Sequence, residues 1–303
     1  MFNRLTISQR QAVWAYLFLF VPLVFFIFIR IGPTLFSFNI SLHEWNPLAE
    51  NQTFVGLENY QKLFTELGKP KSVTHKAFVN TFKYVIIGLP LQLIIALFLA
   101  LLLNEIVRLS AFFRALYFLP YVTSIVAVSW VWRWLYQPQF GPLNVLLTFL
   151  GLEQQPFLKH PSQALFSITA MVIWQGLGFS IIIFLAGLQQ IPDMYYEAAK
   201  LDGASRWQSF RRITLPLLNT SLVYLAVLQT ISFLRMFAPV LNMTTQGDGG
   251  PLNSTTTVVL RLYREGFSSF NMGYASTLTV ALFVIILVIT VLQLKFFSNR
   301  VEY

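Results

Sequence analysis

Long apolar runs alternate with short polar breaks along the whole chain, on a scale set by a lipid bilayer. A helix crosses the hydrocarbon layer in about 20 apolar residues. Six runs approach or reach that length: 14–29 (Trp14–Ile29), 84–103 (Tyr84–Leu103), 115–132 (Ala115–Trp132), 164–188 (Ala164–Leu188), 215–234 (Leu215–Leu234) and 274–294 (Tyr274–Leu294). The pattern predicts an all-α integral membrane protein, one polytopic domain over residues 1–303, with six transmembrane helices. Pro22, Pro90 and Pro120 fall inside three of the runs. Membrane helices tolerate such prolines because neighbouring helices and side chains satisfy the freed carbonyls. The first run follows Arg4 and Arg10, as a signal peptide would, but it is long and no small-residue cleavage site follows it. It reads as a retained helix.

One polar break departs from this pattern. Residues 189–214 separate the fourth and fifth runs and include EAAKLDGASRWQSFRRIT. Pro192 suits a helix start, with Asp193 and Glu197 near its positive end. Met194–Leu201 is predicted as a short helix, and Gly203 suits the left-handed residue that ends it. Ser205 and Gln208 have capping-box spacing, so a second short helix starts there. Pro216 sits near the start of the fifth run. Ala198 and Ala199 leave the first helix low in relief, open to a partner's groove. An amphipathic linker whose arginines meet anionic lipid is the other reading of the same residues.

Composition supports the membrane assignment. Hydrophobic residues make up 56% and charged residues 11% of the 303, where a soluble domain carries about 25% charged residues. The net charge of +9 reads as a topological bias, since no soluble basic face for nucleic acid is visible. Six runs put both termini on one side, together with Arg4, Arg10, Arg108, Arg114, Lys200, Arg206, Arg211, Arg212, Lys295 and Arg300. That side is expected to be cytoplasmic. The opposing segment, 39–83, also holds Lys62, Lys69, Lys71, Lys76 and Lys83, but it is long and mixes in Glu44, Glu50, Glu58 and Glu66. Trp130, Trp132, Trp134 and Tyr136 crowd the end of the third run as an interfacial aromatic belt would.

Several chemistries are not supported by the residues. With no cysteine there is no disulfide framework, thiolate metal site or cysteine nucleophile. His43, His75 and His160 are scattered through predicted loops, so no metal site is expected. Gly68-Lys69 is followed by Pro70 and lacks the upstream glycine of a phosphate-binding loop. No serine sits in a nucleophile elbow. The chain does not read as an enzyme, and no cofactor is expected on it.

The polar loop carries a resemblance. Glu197-Ala198-Ala199, Asp202-Gly203, Ile213 and Leu215-Pro216 are similar to the EAA loop of permease subunits in binding-protein-dependent ABC importers. FVGLENYQKLF, residues 54–64, and TTQGDGGPLNSTTTVVLRLYREGF, residues 244–267, resemble sugar-importer permeases of the maltose, glycerol-phosphate and lactose type, the latter with a small insertion. The likeness extends over nearly the whole chain. It implies a six-helix permease fold with a cytoplasmic coupling-helix loop, in a bacterial plasma (inner) membrane. It further implies a second, homologous permease, a cytoplasmic ATPase dimer that holds the ATP and Mg, and an external substrate-binding protein that delivers a sugar or glycoside. Glu197, Ala198, Ala199, Asp202, Gly203, Ile213, Leu215 and Pro216 would then couple to the ATPase. The resemblance also implies that residues 244–257 face the binding protein.

Candidate substrate positions flank the loop. Gln229, Ser232, Phe233 and Met236 are spaced i, i+3, i+4 and i+7, one face of a helix. Gln175 and Phe179 are spaced i, i+4, beside Gly176 and Gly178. Amides, hydroxyls and apolar rings suit a sugar. The same residue types also serve as ordinary glue between membrane helices. Arg30 ends the first run, and Arg235 lies off the Gln229 stripe; either would matter for an anionic substrate. Two other functions stand beside the importer reading. A self-contained secondary sugar transporter would want carboxylates or histidines within its spans. A membrane enzyme acting on lipid-linked sugars would want an acidic or histidine constellation at the interface. Neither feature is present in the six runs.

Overall fold

A computed structural model describes residues 6–49, 52–105 and 110–297. Arg4, Glu50, Arg108 and Arg300 lie outside the described residues. Two units divide the chain, residues 1–64 with 262–281 and residues 65–261 with 282–303.

In the first unit, α1 (Ile7–Phe26) passes through a wider π turn, Ile27–Ile31, into α2 (Gly32–Ile40). The stretch Arg10–Ile40 is long and apolar enough to cross a membrane. It runs past Ile29, so Arg30 sits inside a helical run and does not end it. Pro33 has no N–H for the carbonyl one turn back, and the widened turn absorbs that loss. A two-stranded antiparallel ribbon follows, β1 (His43–Trp45) and β2 (Gln52–Phe54). Then comes α3 (Glu58–Leu67). Asn59 donates to the carbonyls of Ser41 and His43 at 3.1 and 3.0 Å, and the Tyr60 and Ser41 hydroxyls meet at 2.7 Å. Thus the stretch 54–64 fastens the ribbon to the helix that follows it.

In the second unit, α4 (Val73–Asn104) and α8 (Pro161–Leu188) are long and apolar enough to cross a membrane. Between them lie α5 (Ser110–Val122), α6 (Ile125–Leu135) and α7 (Pro142–Phe149). After α8 come α9 (Asp193–Leu201), α10 (Arg206–Ser209), α11 (Leu215–Leu217), α12 (Asn219–Leu234) and α13 (Ala238–Met243). The chain closes with α14 (Val258–Phe267) and α15 (Met272–Phe297), whose residues divide between the two units; α15 is long and apolar enough to cross. Four helices therefore qualify as single spans among the described residues, or six elements if each of two bent pairs is one span.

The bent pairs fall at the expected spans 115–132 and 215–234. α5 and α6 meet at 103° around Thr123 and Ser124, and the segment Arg206–Leu217 meets α12 at 64° around Leu218. Pro120 removes one helical hydrogen bond near the first break. Pro216 has the same effect near the second, where a π turn, Phe210–Thr214, precedes it. The aromatic group at the end of α6 also divides. Trp130 and Trp134 stay exposed, while Trp132 packs on Trp174 and the buried Tyr136 donates to the Ser167 carbonyl at 3.1 Å.

α4 packs along α8 through small residues, with Ala96 and Ala100 fully buried beside Ile181 and Phe184. α5 approaches α8 so closely that a Cβ at Gly178 would collide with the Tyr117 carbonyl and the Phe118 backbone. Gly178→Val is expected to cost about 1–3 kcal/mol through overpacking. A lowered unfolding midpoint in detergent would register it, and an unchanged midpoint would contradict this contact.

Candidate functional site

The segment joining α8 to α12 is built as the sequence pattern predicts. α9 spans Asp193–Leu201, and Pro192 precedes it in extended conformation. Gly203 has φ +74°. The Gly203 N–H donates to the Lys200 carbonyl at 3.1 Å and the Ala204 N–H to the Ala199 carbonyl at 2.9 Å. This pair of bonds closes the helix end as a Schellman motif. The capping box opens α10. Ser205 Oγ accepts from the Gln208 N–H, and the Gln208 side chain accepts from the Ser205 N–H at 2.7 Å.

This turn is tied to the membrane helices on one side only. Ile191 is buried among Ile181, Phe184, Leu185 and Leu218, and Tyr196 and Ile213 pack against the same cluster. The Tyr196 and Thr214 hydroxyls meet at 2.9 Å, linking α9 to the π turn that enters α11. The other side stays bare: Glu197, Ala198, Asp202 and Gly203 are exposed, as are Met194, Leu201 and Trp207. Ala199 and Leu215 are half-buried and Pro216 is exposed.

The flanking polar residues fall into different environments. Ser180 Oγ accepts from Gln92 Nε2 at 3.2 Å and from Gln229 Nε2 at 3.4 Å, and donates to the Gly176 carbonyl at 3.3 Å. All three side chains are buried. Gly176 leaves the space that Gln92 fills. Gln92 and Ser180 did not stand out in the sequence, although Gln92 is the one amide in the charge-free second run. Gln175 donates to the Thr123 carbonyl at 3.2 Å and so satisfies the break between α5 and α6. Phe179 stacks on Tyr121 with ring centroids 5.2 Å apart. Phe233 is buried with its ring over Gly88.

Met236 does not share the helical face of Gln229. α12 ends at Leu234 with Arg235 as its cap, so Met236 lies beyond the helix, buried in the core. Ser232 is exposed while Gln229 and Phe233 are buried. The structure therefore groups Gln229 with Gln92 and Ser180, and leaves Ser232 on another face.

The loop 244–257 is folded against α4. Thr255, Thr256 and Thr257 are fully buried, and Asn80 donates to the carbonyls of Asn253 and Thr256 at 3.0 and 3.2 Å. Lys76 Nζ donates to the Leu252 carbonyl at 3.0 Å.

Residues 71–302 match the model for a binding-protein-dependent transport system inner membrane component. The chain belongs to this family of inner membrane components. Among its curated relatives, a probable ABC transporter permease protein YesP of Bacillus subtilis (strain 168) is 39% identical over 252 residues, 82% of this chain and 79% of that one. The trehalose/maltose transport system permease protein MalF of Thermococcus litoralis is 32% identical over 295 residues, 97% of each chain. The sn-glycerol-3-phosphate transport system permease protein UgpA of Salmonella typhimurium is 31% identical over 264 residues, 87% of this chain and 86% of that one. A chain in the crystal structure of a bacterial alginate ABC transporter, in complex with an alginate pentasaccharide-bound periplasmic protein, shares the fold. Its TM-score is 0.80 at 23% identity, with 96% of each chain covered.

As an inner membrane component the chain is a permease subunit, and its α9–α10 turn can be tested separately from its spans. Gly203→Ala is expected to destabilise that turn by about 1 kcal/mol, because alanine resists positive φ. Faster amide exchange across α9, with exchange in α4 and α8 unchanged, is the expected result.

Proposed function

We propose that this permease subunit conducts a sugar or glycoside in an ATP-driven importer, with residues 189–214 coupling it to a separate ATPase. The observation that carries the reading is the α9–Gly203–α10 turn. It is closed by its own hydrogen bonds, tied through Tyr196 and Thr214 to the π turn ahead of α11, and bare on its outer surface. A push on α9 is thus delivered to the segment that precedes α12. The related trehalose/maltose and glycerol-phosphate permeases supply the cargo class.

In this arrangement the ATPase cleft closes over Ala198 and Ala199, and Glu197 meets a basic residue of that cleft. The charge pair fixes the register of docking. Asp202 and Gly203 form the turn, and Ile213, Leu215 and Pro216 join it to α12. Hydrolysis, with its ATP and Mg, belongs to the partner, in keeping with the lack of a phosphate-binding loop in this sequence. A second homologous permease completes the path, and an external binding protein loads it. The arginines of the α10 segment favour the cytoplasm for this face, and six spans would then put both termini on the same side.

Two measurements test the reading. A single cysteine at Ala199, treated with a short thiol crosslinker in native membranes, is expected to capture an ATPase subunit in an ATP-dependent manner. Efficient labelling of that cysteine with no subunit captured would make the segment an exposed linker. Glu197→Lys reverses one charge of the proposed pair, and losing a partner from a buried pair costs about 3–5 kcal/mol. Uptake is expected to fall at least about a hundredfold, by that cost, with membrane insertion intact; wild-type uptake would refute the role of Glu197.

A further inference from the structure

The exposed face of α12 differs in kind from those of its neighbours. Thr220, Tyr224, Leu228, Ser232 and Arg235 are exposed and spaced by four residues, then three, so they form one stripe along the helix. Four of the five carry a nitrogen or oxygen in the side chain. On α4, between Tyr84 and Leu103, the exposed side chains run from Ile86 through Ile94 and Phe98 to Leu102 and are all apolar. On α15, from Phe283 to Leu294, the exposed side chains are again all apolar. Hydrocarbon accepts the faces of α4 and α15. It is less suited to a polar stripe ending in a guanidinium, because hydroxyls and charges on a span favour protein or water.

Arg235 caps α12 at the end remote from the coupling turn, and its guanidinium makes no ion pair or hydrogen bond with a described residue. Its donors form a planar fork that matches a carboxylate or phosphate. Ser232, one turn along the same edge, adds a hydroxyl, and Tyr224 adds an aromatic ring of the kind that packs on a sugar face.

We propose that this stripe lines a water-filled path and that Arg235 selects a negatively charged cargo, a sugar bearing a carboxylate or a phosphate. The inference rests on the transport function proposed above. A neutral sugar would gain only hydrogen bonds from the guanidinium, whereas an anion would also be concentrated by its charge in a narrow path with low-dielectric walls. A dry interface with the second permease would instead require an acidic group opposite Arg235 to offset its desolvation.

The absence of cysteine allows a direct test. Ser232→Cys is placed in the intact transporter in native membranes. It is treated with two membrane-impermeant methanethiosulfonates, one bearing a sulfonate and one a trimethylammonium. Each rate is divided by that reagent's rate with a free thiol. Phe98→Cys serves as a lipid-facing control and is expected to react with neither. The sulfonate reagent is expected to be favoured at Ser232→Cys by at least about fivefold, as field focusing in a narrow cleft provides. Adding Arg235→Gln should bring the ratio close to one, and adding Arg235→Lys should keep it. No reaction with either reagent would mean that lipid or the second permease covers the stripe, overturning the path. Equal rates would mean an open path without anion selection, overturning the role of Arg235. Failure of the transport reading shows independently, as absence of ATPase capture at Ala199→Cys.

Discussion

A backbone group freed inside lipid has no water to turn to, and the internal architecture of this permease follows from how it meets that constraint. At the interruptions the loss is taken up either by a side chain or by a widened turn. At the bend between α5 and α6, the amide of Gln175 reaches from α8 to the carbonyl of Thr123. Ahead of Pro33 and Pro216 the helix widens into a π turn. Gln92, Ser180 and Gln229 satisfy one another at the crossing of α4, α8 and α12. Polar groups that suit a sugar are, in this chain, also the groups that hold the bundle together.

That double use separates the two sides of α12. Its buried side, with Gln229 and Phe233, packs on α4 and α8, where Gly88 and Gly176 make room. Its exposed side carries Tyr224, Ser232 and Arg235. A helix held firmly on one face and open on the other can move as a rigid part of the bundle while presenting side chains to a cargo. The bend at Leu218 matters here, because the segment before it leaves the axis of α12 by 64°. In the proposed mechanism a displacement of the coupling turn would act on α12 through that elbow, with the Tyr196–Thr214 contact as the link to the segment before it.

The turn itself owes little to the remainder of the protein for its shape. Two hydrogen bonds around Gly203 and two between Ser205 and Gln208 define it locally. Such self-sufficiency suits a surface that receives another subunit, since little ordering remains to be done on docking.

Local chemistry is therefore what the sequence alone determined. The apolar runs announced the membrane, Gly203 and the S-x-x-Q pair announced the turn, and the resemblance of the residues from Glu197 to Pro216 to a known loop pointed to the family. These signals lie in continuous stretches of about 25 residues or fewer, so they can be read without a fold. The tertiary structure decided what depends on distant partners. It broke the run 115–132 into two helices, carried the first helix past Arg30, and put Met236 beyond the end of α12. It also gave Gln175 and Gln229 to helix packing and turned Ser232 and Arg235 outward. A residue's spacing along a helix says which residues share a face. Which face is buried depends on where α4 and α8 lie, and the close approaches at Gly88 and Gly176 let them lie there.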